Sequence, residues 1–427
     1  MSSLFIRLSV VGLFLCSVST LGAQPLDILR WSGETALTPA QGYGMGNPLT
    51  LTWGFAGAGT TIPSFGVGSS DTNNLIARMD GLYGAGPGGS DLTQRPWFSH
   101  YQSTFDRWSS ISGLNYTYEA ADDGVAFSNT NGTANRGLLG TRADVRIGGR
   151  NIDGNSGILA FNFYPNVGEM VIDTNDNFYN NLAGNSLVLR NIVTHEHGHG
   201  VGMQHVNTPS SAPQLMNPTY NPAFDGPQHH DILMAQRGYG DFYEKSFSGL
   251  GNDIVTRATH LGTLSQSASL SIGNSARIFS VAATATDFVS IDNESDTDFY
   301  SLAVDTAGNI QVNLDSLGFT YTANSVSFNT QTRSNLALAL LGTNGSTVLA
   351  SANSTGLGGS ETLTFDLLSA GNYFLRITGT NNPDTVAIKT QFYGLTASFT
   401  AVPEPGSLAA TSLFLGGILL MRRHRRI

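Results

Sequence analysis

Residues 195–205 read HEHGHGVGMQH, placing four histidines and one glutamate in eleven positions. The chain has nine histidines in 427 residues, so this crowding needs a cause, and the cause limits the fold. On an α-helix, His195 and His199 stand one turn apart and share a face. Two neutral imidazoles there can hold one Zn²⁺ at about 2.0–2.1 Å. Two ligands are too few, so the chain must leave the helix and come back. Gly202 can take the positive φ of a sharp helix exit, and His205 arrives three residues later. The spacing H-E-x-x-H-x-x-G-x-x-H is thus filled by His195, Glu196, His199, Gly202 and His205. A fourth coordination position stays free for water, as in catalytic rather than purely structural zinc sites. Glu196 lies about 100° of helix around from His195, so it can reach that water without occupying the metal. A carboxylate so placed takes the proton as the acidified water attacks a carbonyl. His197 points away from the ligand face and reads as a partly exposed helix residue. The bland alternative is a histidine-rich helix that picks up metal adventitiously. Glu196 and Gly202 fall where the chemistry needs them, which weighs against it.

The motif resembles that of the metzincin zinc peptidases. That group also carries a methionine turn beneath the metal, and "PQLMNP" at 213–218 fits, with Met216 eleven residues after His205. Alone, Met216 would read as an ordinary core methionine. Within the group, "GILAFNFYPNVGEMVIDTNDNFY" at 157–179 and "HHDILMAQRGYG" at 229–240 resemble the matrixin branch, with Asp231 and Tyr239-Gly240 as matching residues. The resemblance spans roughly residues 48 to 240. It implies an α+β catalytic domain, a twisted mixed sheet with an active-site helix, over residues 24–245. It further implies one catalytic Zn²⁺ held by His195, His199 and His205. Glu196 would be the proton-transfer residue, supported by Gly202 and Met216.

Several departures qualify it. Matrixins often hold a second, structural zinc before the active-site helix, but Phe161 stands where such a histidine would be. No structural zinc is expected. Asp153, Asp173 and Asp176 lie in Gly/Asn-rich stretches and are open to Ca²⁺, although solvated turn residues are the preferred reading. The lone cysteine, Cys16, falls in the leader, so a cysteine-based latency device is absent from the mature chain. The tyrosine found two residues after the turn methionine in some metzincins is replaced by Pro218. Gly198 and Gly200 each weaken the helix by about 1 kcal/mol relative to alanine and suggest close packing of another segment. The substrate pocket wall would come from the chain between His205 and Asp231, and its sequence gives no preference.

Other segments read as local elements. "NPLTLTWGF", "ADVRIGG" and "GEMVIDT" are strand-like, and "FDRWSSISGL" places Phe105, Trp108 and Ile111 at helical spacing. "NSLVLRNIVTHEHGHG" reads as a helix with Asn185 or Ser186 as N-cap. From 256 to 400 no convincing helix occurs. Short strands, "RIFSVAA", "DFYSLAV", "LALALL", "SETLTFDLL" and "NYFLRITG", recur between turn residues and predict an antiparallel β-sandwich. A linker is expected at 246–255. "DTDFYSLAV" at 296–304 and "LSAGNYFLRITG" at 368–379 resemble the bacterial pre-peptidase C-terminal domain, which implies a non-catalytic companion of an exported peptidase.

The ends suggest where the chain works. Residues 1–23 combine Arg7, an apolar run from Leu8 to Cys16 and small residues up to Ala23, the order of a secretory signal peptide. Residues 402–427 combine Pro403-Glu404-Pro405, a short apolar run and four terminal arginines. They resemble the PEP-CTERM sorting signal of Gram-negative bacteria. That resemblance implies an exosortase-type partner and transient inner-membrane anchoring; a plain C-terminal anchor is the alternative. Export to the periplasm, cell surface or extracellular matrix follows. The net charge is −10 with only Lys245 and Lys389 as lysines, which argues against a broad nucleic-acid surface. The sequence therefore predicts an exported zinc-dependent endopeptidase acting on protein or peptide. A non-proteolytic metal-binding surface or exopolymer-matrix protein is the competing class, and hydrolysis of another amide also stays open.

Overall fold

The computed structural model describes residues 28–32, 35–37, 44–130, 132, 136–207, 213–323, 326–367, 369–381 and 390–402. The expected leader and, apart from Val402, the sorting tail lie outside the described residues. Among the described residues no helix is long and apolar enough to cross a membrane.

The first part of the chain runs β1 (Leu49–Phe55), the short β2 (Thr61–Ile62) and β3 (Asp71–Thr72), α1 (Leu75–Tyr83) and α2 (Phe98–Ser110). It continues with β4 (Leu114–Tyr118), β5 (Val145–Arg150), β6 (Ala160–Asn162), β7 (Met170–Asp173), α3 (Ala183–Gly200), α4 (His229–Tyr239) and the single turn α5 (Ser246–Gly249). Five strands form a sheet of order β4-β1-β5-β7-β6. All neighbours are parallel except β6, which runs antiparallel to β7. Parallel strands are normally covered on both faces, and β1 follows suit: Thr50 alone of its residues is not fully buried. Helix α2 supplies one cover. Trp53 of β1 stacks on Phe105 at 4.4 Å between ring centres, and Phe55 meets Trp97 and Tyr101 edge-on. The helical stripe Phe105, Trp108 and Ile111 is wholly buried.

Buried charge staples the loops to this sheet. Arg146 of β5 donates to Asp122, to Glu169 and to the Val125 carbonyl. Arg150 donates to the carbonyls of Asn151, Pro63, Ser64 and Val67. The alternating VRIGGR pattern resembles a half-exposed strand, yet every residue of β5 is buried, because the Arg146 guanidinium and both Nη groups of Arg150 find acceptors in the loops.

The second part contains β8 (Thr259–Leu264), β9 (Ser269–Ile272), β10 (Val289–Ile291), β11 (Thr297–Val304), β12 (Gly308–Leu317), β13 (Thr320–Ala323), β14 (Val326–Asn329), β15 (Ser334–Leu341), β16 (Val348–Ala352), β17 (Glu361–Leu367), β18 (Gly371–Asn381) and β19 (Gln391–Ala401). One sheet has the order β10-β19-β12-β17, with β9 also paired to β19, and the other β16-β15-β18-β11-β8. Strands such as β11 alternate strictly between buried and half-buried positions, as a strand with one face on a core should. Two expectations need correction. The pairing is not purely antiparallel, since β8 runs parallel to β11. "RIFSVAA" at 277–283 is not a strand: after a short 3₁₀ turn at Asn274–Arg277 the chain is irregular. Val281 and, in part, Phe279 pack on the first part instead of on a sheet partner, while Ile278 is exposed. Ala276, Val281 and Phe288 join the same buried cluster as Trp108, Met216 and Ile232, as do Leu317, Tyr321, Phe328 and Phe392. The interior of the sandwich forms a separate cluster.

Candidate metal centre and active site

The last three turns of α3, from Asn191 to Gly200, are buried on every side. The helix begins differently from the expected cap. Gly184, Asn185 and Ser186 have φ of 61°, 57° and 59°, a left-handed turn, so the regular helix starts at Leu187, directly after Ser186, whose hydroxyl bonds Tyr83 Oη. From the side, Trp108 Nε1 donates to the Thr194 carbonyl at 3.2 Å.

This rigid helix presents His195 and His199 together, and His205 swings in beside them. His205 Nε2 lies 3.1 Å from Nε2 of both His195 and His199. The opposite ring nitrogens are engaged: His195 Nδ1 with the Leu215 carbonyl at 2.6 Å and His199 Nδ1 with the Met203 carbonyl at 2.7 Å. A carbonyl only accepts, so in both rings the proton sits on Nδ1 and the Nε2 lone pair faces inward. His205 can donate to one of the two, which leaves the other pair of nitrogens unreconciled. A cation between all three removes the conflict. Three nitrogens around tetrahedral zinc would stand about 3.3 Å apart for bonds near 2.0–2.1 Å, close to the spacing observed. Burial holds His199 down to about 3 and His205 to about 4, and His195 well below the usual histidine range. All three are therefore neutral, the form that binds a metal.

The return of the chain depends on Gly202. Its φ is 104°, and a Cβ there would fall 1.9 Å from the Leu29 carbonyl oxygen. The neighbour is the N-terminal segment, which the sequence did not mark. Leu29 N donates to the Gly202 carbonyl at 2.9 Å. Trp31 donates through Nε1 to the Gly200 carbonyl and through N to Tyr239 Oη. Residues 28–32 are thus built into the floor of the site.

Met216 is buried beneath the helix. A Cβ on Gly198 would stand 2.4 Å from its sulfur, and one on Gly200 would stand 2.8 Å from Asn162 Nδ2. The two glycines therefore admit the methionine turn and β6. Asp231 fixes that turn from the N-terminus of α4. Its carboxylate accepts from Leu215 N at 2.7 Å, Met216 N at 3.2 Å and Gln228 N at 2.9 Å.

Glu196 is 1 % exposed, and neither of its oxygens has a hydrogen-bond partner among the described residues. Burial raises its pKa well above the usual carboxylate range. An uncompensated buried carboxylate costs several kcal/mol (about 2–7 even for a neutral polar group), so a polar group or water brought to this carboxylate would relieve it. His197 is fully buried, not partly exposed as expected. Its Nε2 lies 2.6 Å from Tyr116 Oη and its ring packs on Phe105, so its position between sheet and helix overrides the polarity that suggested exposure.

The acidic loop also differs from expectation. Asp173 and Asp176 are buried, and only Asp153 is exposed. Asp173 accepts from the amides of Asp153, Gly154 and Asn175, and Asp176 from Ser156 and Phe178. These carboxylates tie the loop together through backbone amides. Phe161 packs in a small apolar cluster with Phe163 and Val171.

Residues 87–240 match the family model of matrixin, and residues 296–379 match that of the bacterial pre-peptidase C-terminal domain. Comparison with curated proteins finds no match. Among solved structures, the pre-peptidase C-terminal domain of collagenase from Bacillus anthracis is similar at 14 % identity, over 33 % of this chain and 94 % of that one, with a TM-score of 0.20. PliG, a periplasmic lysozyme inhibitor from Aeromonas hydrophila, is similar at 10 % identity, over 34 % of this chain and 99 % of that one, also with a TM-score of 0.20. The chain thus carries a matrixin domain followed by a β-rich pre-peptidase C-terminal domain. A matrixin domain supports a zinc metalloprotease in general terms.

Proposed function

We propose that this chain, with its matrixin domain and its β domain, is an exported zinc-dependent endopeptidase. The observation that carries the reading is the unpartnered Glu196 carboxylate beside three converged imidazole nitrogens. His195, His199 and His205 would hold the ion through Nε2, with Leu215 and Met203 fixing two of the tautomers. Zinc, when bound, polarises the scissile carbonyl and acidifies water. Glu196 takes the proton from the attacking water and hands it to the leaving amine. Both steps need a carboxylate within reach of the attacking water, which the position of Glu196 beside His195 supplies. Gly202 and Met216 keep the ligands in register. The signal-like leader and the tail at 402–427 support export and handling by an exosortase-type enzyme, with passage through an inner-membrane stage.

The test compares the purified full-length chain with Glu196→Gln, measuring zinc content and cleavage of casein and a peptide library. One zinc per chain in both is expected, with cleavage lowered on the order of 10²–10⁴-fold in the variant. Zinc in both and cleavage in neither would favour the non-proteolytic surface-protein reading. Equal cleavage by both would remove Glu196 from the mechanism.

A further inference from the structure

The β domain reaches the metal centre through one side chain. Gln228 is fully buried at the start of α4. Its Oε1 accepts from Val281 N at 2.9 Å, and its Nε2 donates to the Val281 carbonyl at 3.2 Å. One amide thereby satisfies both backbone groups of a β-domain residue, and its Nε2 also donates to the carbonyls of Gly226 and Pro227. The Gln228 backbone N–H donates to Asp231 Oδ2. Asp231 holds Leu215 N, and the Leu215 carbonyl holds His195 Nδ1. The connection runs Val281, Gln228, Asp231, Leu215, His195, with each link a hydrogen bond of 3.2 Å or less.

We infer that Gln228 is a positioning residue through which docking of the β domain orients the His195 ligand, an inference that rests on the proposed zinc site. Val281 is not a loose tether. Arg107 Nη1 donates to the Ala285 carbonyl at 2.6 Å, and Gln236 Nε2 donates to the Phe288 carbonyl at 3.2 Å. Groups that orient metal ligands from outside typically alter metal affinity by about 10–100-fold when removed. The β domain is then part of the catalytic apparatus and not a passenger.

Gln236 provides a matched control. It lies on the same helix, is fully buried and also bonds the β domain, but it bonds neither Asp231 nor the methionine turn. The experiment measures zinc release to a chelator, and the visible spectrum after cobalt exchange, for the full-length wild type, Gln228→Leu and Gln236→Leu. Both variants should melt at lower temperature. Only Gln228→Leu should release zinc about 10–100-fold faster and change the cobalt spectrum. Gln228→Glu keeps the acceptor for Val281 N and loses the donor; it should fall between, and it serves where the leucine variant folds poorly. Equal zinc release by Gln228→Leu and Gln236→Leu would overturn the positioning role while leaving the zinc site standing. A wild type without stoichiometric zinc would overturn both.

Discussion

At the scale of single residues, the convergence of His195, His199 and His205 was legible because their spacing is dictated by helix geometry and by one turn. The environment of each residue was not. His197 looked like a spare on a helix surface, but the last three turns of that helix have no exposed face, and the pairing with Tyr116 comes from a strand some eighty positions away. Gly198 and Gly200 signalled close approach without saying of what. Gly202 is the residue on which the turn depends most. A side chain there must be accommodated at φ 104° and against the Leu29 backbone. The two penalties together come to about 2–4 kcal/mol. Gly202→Ala should therefore lower the unfolding free energy from urea titration by that amount and loosen zinc; a change under about 1 kcal/mol would mean that the N-terminal segment yields freely. Gly198→Ala sets a helix gain of about 1 kcal/mol against displacement of a flexible methionine. Its net effect on stability should be small, while Met216 must move.

At the scale of elements, strands with regular alternation were readable, and so was α2 with its aromatic stripe. Helix α1 escaped because its fully buried positions are only Leu75 and Met79. "RIFSVAA" was misleading for the opposite reason. Only Val281 is buried and Phe279 half-buried, and they serve an interface between domains, where no period of two or 3.6 is imposed, while Ile278 is exposed. The buried arginines of β5 were also opaque, since their partners lie in loops. Arg146 faces Asp122 and Glu169, all nearly inaccessible to water. Replacing it with methionine leaves two acids behind, one of them, Glu169, already pushed up to about 7 by burial. Breaking such a pair from one side costs about 3–5 kcal/mol. Arg146→Met should lower the urea midpoint accordingly, and Arg146→Met with Glu169→Leu should recover part of the loss.

At the scale of the molecule, the two domains share one apolar cluster, and interfaces of that kind resist independent motion. Thermal unfolding should give one cooperative transition, with calorimetric and van't Hoff enthalpies that agree. The junction also carries a charge problem. Burial pushes Asp241 and Asp292 up to about 7 and Glu244 up to about 10, and neighbouring carboxylates add to the effect at Glu244 and Asp292. Their folded pKa values exceed the unfolded ones, so the folded chain keeps protons that the unfolded chain gives up. Their contribution to stability is complete below about pH 4 and is lost as pH rises through 7 and on toward 10. His229 and His230, held at about 4 and 3 by burial, act in the opposite sense, and only below about pH 6.5. Above that point the acids set the trend, opposed only from about pH 8 upward by Lys245, which burial lowers to about 8. The melting temperature should decline from pH 6.5 to 9, less steeply in Glu244→Gln and less steeply at high ionic strength. A flat profile would mean that the carboxylates find compensation elsewhere.

The segment at residues 28–32 has a consequence of timing. It is synthesised before α3 and α4, yet Trp31 bonds Tyr239 and Gly200, and Leu29 bonds Gly202. A chain growing from the ribosome can form helix α3 and gather its histidines well before Tyr239 exists. The floor beneath them closes only after the matrixin domain has been made from end to end. Hydrolytic competence is therefore delayed by topology: a nascent or truncated fragment ending short of α4 carries the whole zinc motif and lacks the finished site.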